Sequence, residues 1–155
     1  IQAHDAQVAA SGITTVFDCL RLGSDEDGGF KKGEMREMAD AIEAAADQNR
    51  LRSDHLLHLR CEVASADVLE HFEDFETDPR VRLISLMDHS PGQRQFQSMD
   101  QYIFYYQKKR GLSDEAFAEF VRRRQAASRN CAMNGVASLR AFSPPACRMS
   151  SIRSG

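Results

Sequence analysis

The sequence predicts an α/β fold with about three parallel strands and flanking helices, forming part of a (β/α)8 TIM-type barrel. Three observations carry that prediction. Strand-like and helix-like segments alternate along the 155 residues, which implies βαβ units and a parallel sheet. Each strand candidate has one apolar face and one face with polar or ionisable groups. Strands of an open doubly wound sheet, covered by helices on both sides, read instead as nearly continuous apolar runs. Charged or ligating residues also collect at the expected C-terminal strand ends, namely Asp18, Glu62, and Asp88 with His89, where barrels place their chemistry. Three strands do not close a barrel and the remainder needs more chain. The expectation is therefore a barrel segment truncated at both ends.

The elements follow in order. Gln2 to Ala10 has helical character and is closed by Gly12. The β-branched run "GITTVFDCL" predicts the first strand, and the glycine-rich "RLGSDEDGGFKKG" a loop. Apolar residues at Met35, Met38, Ala39, Ile42 and Ala45 have the spacing of an amphipathic helix over 34–48. "DHLLHLRCEV" predicts the second strand, with Leu57, Leu59 and Cys61 on one face and His58, Arg60 and Glu62 on the other. "SADVLEHFEDF" predicts a helix with Ser65 as N-cap. "VRLISLMD" predicts the third strand, in which Ile84, Leu86 and Asp88 oppose Ser85, Met87 and His89. A helix over 99–109 carries Tyr102, Tyr105 and Tyr106, whose simplest role is packing. Another helix starts near Ser113 in "LSDEAFAEFVRRRQ", where "RRRQ" is expected to be a solvated face.

Composition narrows the function classes. The hydrophobic fraction is 42%, suited to a globular domain, and no apolar run approaches the ~20 residues of a membrane span. Cys19, Cys61, Cys131 and Cys147 form no CxxC pair, so neither a zinc ribbon nor a thioredoxin-type motif is supported. Scattered single cysteines fit a reducing cytoplasm. The net charge is −3, yet all 23 acidic residues precede position 121. Beyond it lie seven arginines and no acid. Residues 129–155 are therefore set apart as an atypical basic tail, with the character of a frameshifted or disordered gene end. A basic tail also raises nucleic-acid contact, but the overall charge and the lack of aromatics among the arginines argue against it. No P-loop and no EF-hand spacing occurs.

The stretch "SLMDHSPGQRQF" concentrates chemistry. It delivers Asp88 and His89 at a strand end, turns through Ser90, Pro91 and Gly92, and continues with Gln93 and Arg94. A histidine at a strand end is usually a hydrogen-bonded structural residue, and Glu62 could simply pair with Arg60. Glu62 and His89 on different strands can share a divalent ion, although two ligands alone do not make a site.

The strings "AHDAQVAASGITTVFD", "DGG", "LLHLRCEV", "LISLMDHSPGQRQF" and "YYQKKRGLSD" together resemble the alpha-D-ribose 1-methylphosphonate 5-triphosphate diphosphatase family of the carbon–phosphorus lyase pathway, within the amidohydrolase superfamily. The resemblance covers roughly residues 3–128. It implies a metal-dependent hydrolase on a (β/α)8 barrel that releases pyrophosphate from a ribose 5-triphosphate bearing methylphosphonate at C1. By position, Glu62 matches the bridging carboxylate of a two-metal, zinc-type centre and His89 the first of two later histidines. Arg94, with Gln93, is the candidate phosphate contact. Arg60 could serve too, although orienting Glu62 is its plainer role, while Pro91 and Gly92 set the turn. The first-strand metal motif would lie upstream of Ile1, and an expected "ASHDD"-like strand is absent after Ser128. On that basis the chain alone is expected to be inactive. The resemblance implies no membrane and leaves an oligomer open. Two alternatives stand beside it: another amidohydrolase acting on a C–N or ester bond, and a catalytically dead fragment serving as a binding module.

Overall fold

The computed structural model describes residues 1–23, 33–90, 98–107, 111–141 and 148–149. Helix α1 (Gln2–Ala10) ends before Gly12, whose φ of 80° reverses the chain into β1 (Thr15–Leu22). Then follow α2 (Glu34–Asp47), β2 (Asp54–Glu62), α3 (Val68–Glu73) and β3 (Val81–Met87). A short α4 (Met99–Tyr102) runs into a π-helical turn, Ile103–Gln107. Helix α5 (Asp114–Ala141) spans 28 residues, and β4 (Arg148–Met149) is a two-residue strand.

The sheet order is β1-β2-β3-β4, and every pair is parallel. Cys19 stands opposite His58, Arg21 opposite Arg60, and Glu62 opposite Met87, with one irregularity between Leu57 and His58. The order rises without the reversal of a doubly wound sheet. β4 adds to the expected three strands by pairing Arg148 with Leu83 and Met149 with Ile84.

Strand alternation sorts the side chains of β2 as the sequence predicts, whereas the irregularity at Leu57/His58 puts Val81 and Ile84 of β3 on one face. Leu20 and Leu22 of β1, Leu57, Leu59 and Cys61 of β2, and Val81 and Ile84 of β3 form one apolar sheet face. Met35, Ala39 and Ile42 of α2, with Val68 and Phe72 of α3 and Phe75 just beyond it, pack against that face. Each fully buried aliphatic or aromatic side chain contributes about 1.5–3 kcal/mol relative to exposure. The opposite face is barely covered over β1, where Phe17 is 45% exposed and Cys19 is exposed as well. A smaller cluster joins Tyr102 to Phe117, Phe120 and Val121 of α5, with ring centroids 5.9–6.4 Å apart. The start of α5 is capped by Ser113, whose Oγ accepts the Ala116 N–H at 3.3 Å. Among the described residues no helix is long and apolar enough to cross a membrane.

Three expectations need correction. Asp18 does not end its strand, because β1 continues through Arg21 and Leu22. The Asp18 carboxylate points to the helix-covered face at the far end of the sheet, 2.7 Å from His55 Nδ1, while His55 Nε2 lies 3.4 Å from Asp5. Ser65 is not the N-cap of α3. Asp67 holds that position, and the Ser65 hydroxyl donates to Asp67 Oδ1 at 2.6 Å. The "RRRQ" stretch is not wholly solvated either: Arg122 and Arg123 are exposed, but Arg124 is buried.

Candidate functional site

The parallel pairing of β2 with β3 brings two strand ends together. Glu62 is the last residue of β2 and stands opposite Met87, the last of β3. The Val63 N–H donates to the Met87 carbonyl at 2.8 Å, extending the ladder one step. The Ser90 N–H donates to Asp88 Oδ1 at 2.9 Å, a local turn that bends the chain away from the sheet. Between them His89 folds back on Glu62. Its backbone N–H donates to Oε1 at 3.1 Å, and its ring Nδ1 is in direct hydrogen-bond contact with Oε2.

Glu62 is fully buried. A carboxylate removed from water needs compensating partners. One is His89. Another is the Arg124 guanidinium, 4.0 Å from Glu62 Oε1. Arg124 is itself buried and lies over the Phe120 ring at 5.8 Å. Its backbone carbonyl accepts from the Ser90 hydroxyl at 3.5 Å. Helix α5 therefore closes over the two strand ends, and a carboxylate, an imidazole and a guanidinium meet there.

Gly23 seals the neighbouring strand end. It adopts φ +99°, and a Cβ there would fall 2.7 Å from Ser65 Cβ and 3.3 Å from Glu62 Cβ. Its N–H donates to His71 Nδ1 at 3.4 Å, which leaves the ring proton on Nε2, 3.6 Å from Asp67.

The structure thus brings Glu62 and His89 together. Arg60 stays on the same sheet face, but among the described residues no hydrogen bond or ion pair joins it to Glu62. Its charge instead helps burial lower the pKa of His58. The guanidinium against Glu62 is that of Arg124, which sequence reasoning missed. Its signal was present, because Phe117, Phe120, Val121 and Arg124 follow the i, i+3, i+4, i+7 stripe of one buried helix face. Pro91, Gly92, Gln93 and Arg94 lie outside the described residues.

Carboxylate oxygen and imidazole nitrogen suit a zinc-type cation. Among the described residues, however, no group of three or more His, Cys, Asp or Glu side chains converges as an ion would require. Glu62 and His89 fit part of a coordination shell rather than a whole one.

No family model and no solved structure matches the chain. A curated protein of Escherichia coli (strain K12), named alpha-D-ribose 1-methylphosphonate 5-triphosphate diphosphatase, is 42% identical over 120 residues. The match covers 77% of this chain and 32% of that relative, so the chain spans about a third of the relative's length. Over that matched region, the resemblance carried by "LLHLRCEV" and "LISLMDHSPGQRQF" stands, and the chain is similar to the alpha-D-ribose 1-methylphosphonate 5-triphosphate diphosphatase.

Proposed function

We propose that this chain is a segment of a metal-dependent diphosphatase, built on a (β/α)8 barrel, that releases pyrophosphate from alpha-D-ribose 1-methylphosphonate 5-triphosphate in phosphonate catabolism. The observation that carries the proposal is the direct contact of Glu62 with His89 at adjacent strand ends, in a chain 42% identical to a diphosphatase of that name. The barrel is supported by the rising parallel strand order and by α2 and α3 packing on one sheet face only.

Glu62 and His89 would hold a divalent cation, zinc by donor type, in place of the hydrogen bond that now joins them. When bound, such a cation lowers the pKa of a coordinated water towards ~7 and draws charge from phosphoryl oxygens. The chain's own residues do the rest. Burial of Glu62 and its backbone bond to His89 fix both donors before any ligand arrives. The Arg124 guanidinium, 4.0 Å from Glu62 Oε1, compensates the buried carboxylate at the mouth. Arg94 and Gln93 would contact the triphosphate, whose charge suits a guanidinium.

The test is a chimera in which this chain replaces the matching segment of the Escherichia coli relative. Supplied with zinc and the ribose triphosphate, it is expected to release pyrophosphate, and Glu62→Gln or His89→Ala should lower the rate at least tenfold. The chain alone is expected to release none, because its described residues place two ligands only. Ammonia release from amides without pyrophosphate release, or full activity in both variants, would overturn the proposal.

A further inference from the structure

We infer that Cys19 is a nucleophilic thiol with His58 as its base and Ser85 as the group orienting that base, and that this trio is a modification site for α,β-unsaturated carbonyl electrophiles. The register of β1 with β2 puts Cys19 directly opposite His58, with Sγ 3.3 Å from Nδ1. The other ring nitrogen, Nε2, lies 2.8 Å from Ser85 Oγ on β3. When Nε2–H donates to the serine, Nδ1 presents its lone pair to the thiol. A nucleophile within reach of a base that a third group orients is the general arrangement of an activated nucleophile.

The surroundings agree with that assignment. Burial, with help from the Arg60 charge, lowers the pKa of His58, which favours the neutral imidazole, the form whose Nδ1 lone pair can face the thiol. Cys19 is exposed on the open sheet face, whereas Cys61 is buried in the core and burial pushes its thiol up to about 12. One strand pair therefore presents an exposed thiol beside an imidazole and a buried thiol in the core. The trio is also separate from the strand-end site, since His58 precedes Glu62 by four residues on β2, roughly 13 Å along the strand.

The step balances without an oxidant or a leaving group. His58 Nδ1 takes the thiol proton as Sγ attacks the β-carbon. The S–C bond forms and the C=C electron pair moves onto the α-carbon. The resulting enolate then takes the proton back from His58.

The experiment is labelling with N-ethylmaleimide, read peptide by peptide by mass spectrometry, in native buffer and in denaturing urea. Cys19 is expected to react at least several-fold faster in the folded protein than in the unfolded one, while Cys61 reacts far more slowly when folded. His58→Gln should slow Cys19 about tenfold or more with Cys61 still protected, and Ser85→Ala should slow it less. Cys19 reacting no faster folded than unfolded, or equally fast without His58, would overturn the inference. So would a Cys61 that labels in native buffer as quickly as in urea, because the core that sets the Cys19–His58 register would then be absent.

Discussion

Asp5 and Asp78 show how single side chains tie this fold to pH. Asp5 is wholly buried in α1 and accepts the backbone N–H groups of Arg52 at 2.9 Å and Ser53 at 3.0 Å, with the Arg52 guanidinium at 3.1 Å. Burial pulls its pKa upward, but these donors outweigh it and bring the carboxyl from 3.8 to about 2. At Asp78 burial again opposes, the Arg80 and Arg36 guanidinium bonds win, and the result is also about 2. An unfolded aspartate titrates near ~3.9. Both groups therefore contribute stability that is complete above about pH 4 and is lost as pH falls through about 2. Circular dichroism during acid titration should show the fold weakening in that window. Replacing both residues with asparagine should lower stability at neutral pH and flatten the acid dependence; an unchanged acid profile would contradict this. A second prediction at this scale concerns Gly23. Gly23→Ala forces a Cβ to 2.7 Å from Ser65 Cβ at a left-handed φ, and should cost about 1–3 kcal/mol in urea unfolding.

At the scale of elements, the parts governed by local pattern were legible. The expected helices over Gln2–Ala10 and 34–48 and the strand "DHLLHLRCEV" match α1, α2 and β2 to within a residue, because glycine stops and apolar periodicity act locally. The α2 stripe buries Met35, Ala39, Ile42 and Ala45, while Met38 sits at its margin and is 47% exposed. What was not legible depended on docking. Consecutive helix positions lie ~100° apart, so only one arginine of "RRR" can turn to the sheet, and the position of α5 selects Arg124. Likewise, β1 runs on to Leu22 because Leu20 and Leu22 both bury against α2 and α3. The N-cap of α5 supplies the test at this scale. Ser113→Ala removes the bond to the Ala116 N–H and should cost ~1 kcal/mol of stability by denaturant titration.

For the whole molecule, one-sided helix packing on a parallel sheet leaves the other face and the strand ends to carry chemistry. The pairing of Glu62 with His89 could be anticipated because each closes, or nearly closes, one of two successive strands, and the parallel strands of a βαβ unit are neighbours. The contribution of Arg124 could not be placed the same way, since it arrives from a helix 62 positions beyond Glu62 in the sequence. The proposed chemistry rests on Glu62 and His89 sharing a divalent cation. Anomalous diffraction at the zinc edge, from crystals grown with zinc, tests it most directly. The predicted result is an ion about 2.0–2.2 Å from both a Glu62 carboxylate oxygen and the His89 ring nitrogen. Zinc bound elsewhere, or at His89 with Glu62 only hydrogen-bonded behind it, would contradict the claim.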